Sequence, residues 1–220
     1  MTDLYAAFDR LLFDRPAPHV LRVTINNPDK MNALDGVAHR QLETLWAVID
    51  EDSDTRVSII TGAGRGFSAG GALDDMPVDT PLDPAQSFAK GFSGASRLVA
   101  GIINARKPIV SAINGPAVGA GLAIALLADV PIAAKQAKLL DGHLRIGVAP
   151  GDHAAMIWPL LCGMAKAKYF LMTNASMTGE EAERNNLVAL AVDAAELQDK
   201  AVEVAVQLAA VAPTALRMTK

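Results

Sequence analysis

The chain has 220 residues, 51% hydrophobic and 20% charged, so it can bury a core of its own and is too apolar for global disorder. Its formal net charge of −4 is spread over mixed acids and bases with no basic stripe, which argues against nucleic acid as a partner. Cys162 is the single cysteine, which excludes an intramolecular disulfide and fits a cytoplasmic protein.

The first ten residues lack the basic flank and apolar run of a signal peptide. Apolar residues alternate from Val20 to Asn26, the period of a strand, and Asn27, Pro28 and Asp29 mark a turn. Asp35 is placed to cap a helix running to about Asp50, with Val37, Leu42, Leu45, Val48 and Ile49 as its buried stripe. Val57 to Thr61 is a second strand, and the glycine cluster at 62–66 follows it. Strand, helix and strand in this order suit a crossover unit.

Prolines and aspartates between Pro77 and Pro84 predict a loop, and Ser87 to Asn104 a helix. Lys107 to Asn114 reads as a strand, and Gly119 to Asp129, apolar on all sides, as a buried helix. The apolar stretch from Pro116 to Ala134 is broken by Pro131 and Asp129, so it does not read as a membrane span. Pro131 to Ala134 is a short strand, and Met156–Leu161 and Ala165–Leu171 are helical. Thr178 and Glu181 form a capping box, which predicts a helix start near Gly179. Leu187 to Val192 is strand-like and Ala194 to Val211 helical. Thr214 to Lys220 begins a further helix with nothing to pack on, so the C-terminal helices look cut short.

Two glycine-rich segments follow predicted strands. One is Gly66 to Gly71, the other Asn114 to Gly121. Glycine permits a sharp turn and close approach of backbone to a ligand. The second segment also opens a buried helix, where unpaired amides and the helix dipole favour negative charge. Two such amides on one oxygen make an oxyanion hole. Each segment read singly is more often a plain turn.

With the blocks 26–34 (NNPDKMNAL), 58–76, 107–130, 146–152 (IGVAPGD) and 175–188, the sequence resembles the crotonase (enoyl-CoA hydratase/isomerase) superfamily along nearly its whole length. The resemblance implies an α/β spiral of repeated ββα units followed by C-terminal helices. It divides the chain into a core domain at 1–195 and the start of a helical region at 196–220. It implies an acyl-CoA substrate, coenzyme A as part of that substrate, no permanently bound cofactor or metal, and a homotrimer or dimer of trimers. It assigns the oxyanion amides to Gly71 and Ala120, and substrate or CoA contacts to Ala33, Arg65, Ala69, Ala72, Leu73 and Asp74. Ala120 replaces a glycine there, which costs nothing if its φ is negative. Arg65 reads equally as a solvated turn residue.

Two positions depart from the usual hydratase pattern. Ala123 and His143 stand where hydratases carry their two glutamates. Hydration needs a base for water and an acid for the α-carbon, so ordinary hydration is not expected. His143 and, nine residues on, Asp152 resemble the His–Asp pair of the branch that hydrolyses carbon–carbon bonds in cyclic β-diketones, including oxocamphor hydrolase. Residues 158–173 also resemble that branch, whereas the GAG at 119–121 keeps the CoA-type form.

Hydrolytic carbon–carbon cleavage on a β-diketone or thioester is therefore the favoured reaction. Hydratase or isomerase chemistry and a non-catalytic acyl-CoA binder are the alternatives. Asp152 reads equally as a helix cap, Asp141 is a substitute base, and His153 is expected to point elsewhere. Cys162, Met156, Met164 and Met172 are read as packing residues, and Asp129 as fixing the end of the buried helix. The glycines at 62–66 fail the dinucleotide fingerprint, because Phe67 occupies a required glycine position.

Overall fold

The computed structural model describes residues 3–72, 84–151 and 153–220. The expected loop at 77–83 lies outside them, as do Leu73, Asp74 and Asp152.

Strands β1 (Leu11–Ala17), β2 (Val20–Ile25), β3 (Val57–Gly62), β4 (Ile109–Ile113), β6 (Val130–Ala134) and β9 (Leu190–Val192) form one sheet in the order β1-β2-β3-β4-β6-β9. Only β1 and β2 are antiparallel; every other pair in this sheet is parallel. The central strands are apolar without alternation, because both of their faces are covered, and every residue of β3 and β4 is buried. A second sheet joins β5 (Ala117–Val118), β7 (Lys138–Leu140) and β8 (Met177–Thr178).

Helix α1 (Gly36–Glu51) starts at Asp35, whose carboxylate accepts from the amides of Val37 and Ala38. Burial and these hydrogen bonds compete at Asp35, and the backbone bond from Ala38 leads in holding its pKa below the ordinary carboxylate value. The buried stripe of α1 is Ala38, Leu42, Leu45, Trp46 and Ile49, so Trp46 takes the place expected for Val48. Helix α2 (Pro84–Ile103) packs on α1 and on α3 (Ala120–Leu127). Lys107 is buried beyond α2, and its ammonium donates to the carbonyls of Ile49 and Asp52, each at 2.6 Å, closing the end of α1. Burial lowers its pKa.

Helix α4 (Ala154–Thr173) contains Gly163 at φ 77° and ψ 156°, so the two helical pieces expected from the sequence meet at a kink there. Its buried residues are Ala154, Trp158, Ala167 and Leu171. Met156, Met164 and Met172 do not pack in the core. They are 69%, 58% and 73% exposed, beside Leu160 at 81%. The helix is apolar around its circumference, but only one stripe of it meets the body of the chain. Cys162 is half-buried, with its thiol on the Trp158 carbonyl, and burial raises its pKa.

The capping box at Thr178 and Glu181 forms and opens α5 (Gly179–Arg184). Helix α6 (Leu197–Ala209) lies on β2, β3, β4 and β6 through Leu197, Ala201, Ala205 and Ala209. Helix α7 (Pro213–Thr219) does find a surface. Leu216 and Pro213 line a small cavity with Pro108, and the Lys220 ammonium reaches the Lys107 carbonyl and Asp129. Asp129 also accepts from the Ile109 amide at 2.7 Å, fixing the start of β4 against the end of α3. Strand β1 was not expected: it is an edge strand containing Pro16, with no alternating pattern to read. The two- and three-residue strands β5, β7 and β8 are too short to carry a period.

Candidate active site

Three segments converge beyond the carboxyl ends of β2, β3 and β4: residues 26–34, 62–72 and 114–121. Asn32 joins them. Its side chain is fully buried, its amide nitrogen donates to the Ala63 and Gly66 carbonyls at 2.8 Å, and its oxygen accepts from the Asn27 amide at 2.9 Å. Met31 and Asn32 both take positive φ, 52° and 56°, to bring this about. Asn114 makes a similar clamp, donating to the carbonyls of Gly62, Gly64 and Gly66. Buried Ser68 donates to the Asn32 carbonyl at 2.7 Å and accepts from the Gly70 amide at 3.1 Å. Reading the sequence singled out neither Asn32 nor Ser68. Both lie within the family-like blocks, but only the fold shows that they satisfy so many buried backbone groups.

Two glycines are required by contact. Gly70 has φ +87°, and a side chain on it would come within 2.6 Å of the Val118 carbonyl and 3.5 Å of the Ala120 amide nitrogen. A side chain on Gly121 would overlap Ser68 at 2.6 Å. These contacts press the two glycine-rich segments together.

The amides of Gly71 and Ala120 follow from that arrangement. Leu34 donates to the Gly70 carbonyl and accepts from the Ala72 amide, so the Gly71 N–H points away from Leu34. Ala120 is the first residue of α3, where an amide has no partner within the helix. Among the described residues, neither amide has an acceptor. Gly119 takes the positive φ of 50°, and Ala120 is not among the positive-φ residues, so alanine fits there without strain.

Ala123, one turn into α3, is buried and offers only a methyl group. The groups that can move protons come from the turn after β7. Pairing of Val118 with Leu140, and the Gly119 amide on the Leu140 carbonyl at 3.1 Å, set this turn beside the start of α3. His143 places Nδ1 at 3.0 and 3.1 Å from the two oxygens of Asp141, and its own amide donates to Asp141 at 3.3 Å. The Asp141 side chain is 3% exposed and that of His143 15%. Among the described residues the carboxylate beside His143 is Asp141, which the sequence offered as a substitute base; the expected partner, Asp152, lies outside them. His153 does not point elsewhere: it is 1% exposed, with its ring centroid 5.9 Å from that of His143.

Around the mouth, Ala33 is half-buried and its carbonyl accepts from Asn27, while Ala69 is exposed and donates its amide to Met31. Ala72 is half-buried. Arg65 is exposed, with Nε 3.1 Å from the Met31 sulfur. Among the described residues no three His, Cys, Asp or Glu side chains gather as a metal site would. None of the described helices alone is long and apolar enough to cross a membrane.

A mixed, mostly parallel sheet followed by C-terminal helices is the fold of the crotonase class, and the sequence model of the enoyl-CoA hydratase/isomerase family matches residues 17–220. The chain belongs to that family. It is 34% identical to the (E)-benzylidenesuccinyl-CoA hydratase of Thauera aromatica, covering 92% of this chain and 77% of that protein. It is 32% identical to the 1,2-epoxyphenylacetyl-CoA isomerase of Escherichia coli K12, covering 86% and 72%. An enoyl-CoA hydratase structure from Bacillus anthracis superposes with a TM-score of 0.88 at 29% identity, over 96% of this chain and 80% of that one. The fold is the α/β crotonase-like fold with C-terminal helices, and coenzyme A enters such enzymes as part of the substrate.

Proposed function

We propose that this chain catalyses enolate chemistry on an acyl-CoA thioester, with the thioester oxygen held by the Gly71 and Ala120 amides and protons moved by His143. The observation that carries this reading is the pair of amides without acceptors among the described residues, next to an imidazole paired with a buried carboxylate. Two donors on the carbonyl oxygen stabilise the negative charge that develops when a proton leaves the α-carbon. One such donor contributes about 3 kcal/mol to a transition state.

Asp141 holds the proton of His143 on Nδ1, leaving Nε2 as the basic nitrogen, and it stabilises the imidazolium formed in turnover. Nε2 takes the α-proton as the enolate forms and returns it at the same or a neighbouring carbon. A single acid/base group is sufficient for such a shift, so an isomerase-type reaction suits a site with Ala123 and His143 at the glutamate positions. Arg65, Ala33, Ala69, Ala72, Leu73 and Asp74 are proposed to contact the CoA-bearing part of the substrate. The exposed apolar stripe of α4 is proposed to be covered by further copies of the chain.

Hydrolytic carbon–carbon cleavage is the second reading. It is favoured by the carboxylate-held imidazole, which suits activation of water for attack on a carbonyl, with Asp152 as a further carboxylate in that branch's pattern.

The test uses butyryl-CoA, crotonyl-CoA and a cyclic β-diketone in deuterated buffer. Deuterium entering the α-carbon of butyryl-CoA, or loss of the crotonyl chromophore, supports thioester enolate chemistry. Loss of the diketone chromophore with inert thioesters replaces it with the second reading. Tight thioester binding without exchange or turnover would leave only a binding protein.

A further inference from the structure

The two donor amides differ in how firmly their own segments hold them. Ala120 opens α3, so the helix fixes the direction of its N–H. Gly71 follows Gly70, and two successive glycines rotate more freely than any other pair of residues. The Gly70 carbonyl accepts from the Leu34 amide at 2.8 Å, and across a planar trans peptide this turns the Gly71 N–H the other way. If that peptide rotated, the Gly70 carbonyl, and not an N–H, would face the bound oxygen.

Ser68 is placed to prevent the rotation. It is fully buried, and its hydroxyl accepts from the Gly70 amide at 3.1 Å while donating to the Asn32 carbonyl at 2.7 Å. Gly70 is thereby held at both ends, its N–H on Ser68 and its carbonyl on Leu34. The backbone of Ser68 grips the other glycine-rich segment: its amide donates to the Pro116 carbonyl at 3.1 Å, and its carbonyl accepts from the Val118 amide at 2.9 Å. Its side chain lies against the first turn of α3, where a Cβ on Gly121 would come within 2.6 Å of the serine Cβ and 2.7 Å of Oγ. One residue therefore touches the neighbour of each donor, Gly70 beside Gly71 and Gly121 beside Ala120.

We propose that Ser68 is a positioning residue that holds the Gly71 amide at a fixed spacing from the Ala120 amide, resting on the reading of these two amides as the donors to the thioester oxygen. The hydroxyl is both acceptor and donor, so the bonds from Gly70 through Ser68 to Asn32 strengthen one another. It also occupies the Gly70 N–H, leaving that of Gly71 for the ligand. Alanine at position 68 keeps the Cβ contact with α3 and loses the hold on Gly70, which separates the two roles.

The test is the infrared spectrum of butyryl-CoA, carbon-13 labelled at the thioester carbonyl and bound to the full chain. In the wild type the carbonyl band is expected to be narrow and lower in frequency than in water. Ser68→Ala should broaden it and remove about half of the shift, with Kd within about threefold and, on whichever substrate the wild type turns over, kcat about tenfold lower. A Ser68→Ala band as narrow and as shifted as that of the wild type would overturn the proposal. Amide exchange in the wild type supplies a measurement that does not need the variant to fold. The Gly70 N–H is expected to be protected with and without butyryl-CoA, and that of Gly71 only with it. A Gly70 amide that exchanges as fast as ligand-free Gly71 would equally overturn the proposal. An unshifted carbonyl in the wild type, or no bound thioester at all, would instead refute the reading of the two amides on which the proposal rests.

Discussion

The amide cradle and the acid/base turn lie side by side, yet they are held by different means. The cradle is fixed by neutral side chains bonded to many backbone groups, those of buried Asn32 and Ser68 and half-buried Asn114, and by glycines pressed against their neighbours. In the turn at 141–147 the described contacts of the His143 side chain include a charged one, to the carboxylate of Asp141, with the ring of His153 nearby. In the proposed function the first region holds the thioester oxygen and the second moves the proton. A scaffold of this kind can change reaction by altering the turn while leaving the costly cradle intact.

The comparison predicts different failures in the two regions. The largest effect is expected from His143→Gln: a loss of about a thousandfold in kcat, with affinity for a non-reactive CoA thioether within about threefold of wild type, read by steady-state kinetics and calorimetry. Equal loss of binding and turnover would erase the distinction between cradle and turn. Asn32→Ala should act on the fold instead. It strands two carbonyls and an amide in a buried place and should cost about 3 kcal/mol in denaturant unfolding, with binding and turnover falling together.

Asp141→Asn keeps the shape of the turn and removes its charge. The expected result is a drop of about a hundredfold in kcat with thermal stability nearly unchanged, measured on the same preparation.

Acid should loosen the molecule at a site remote from both regions. Asp52 is buried, which works to raise its pKa, but hydrogen bonds from Thr55, Tyr5, the Asp54 amide and Arg15 outweigh this and hold it at about 2. Because the folded value lies below the unfolded one, the stabilisation is complete above about pH 4. About 2 kcal/mol of it is lost as pH falls through about 2. Unfolding midpoints measured across that range should show this slope in the wild type and lack it in Asp52→Asn. Leu160→Glu is expected to change the stability of the single chain by less than about 0.5 kcal/mol, since the side chain is 81% exposed. Its effect should appear in sedimentation, as a shift toward monomer; an unaltered distribution would remove α4 from the proposed interface.

The strands β2, β3, β4 and β6 and the helices α1, α3, α5 and α6 were legible in the chain itself. Their signals are local: alternation or a continuous apolar run, an aspartate cap, a capping box, glycines closing a strand. Asp35 and Thr178 behave as their neighbours dictate. The proposed roles of Gly71 and Ala120 come from the resemblance, and Ala120 keeps an ordinary φ because Gly119 beside it absorbs the turn.

Other features rest on contacts between distant residues. Asn32 becomes a clamp only when residues 62–68 arrive next to it. His143 meets Asp141 and His153 only through a positive-φ glycine turn and the start of α4. The methionines of α4 read as core because apolar composition shows that a surface wants covering, and cannot show which part of the same chain covers it. Local propensity acts over a few residues and is written in them. The identity of a buried polar partner depends on where the whole chain crosses itself, and that was decided by the packing of the two sheets and α3.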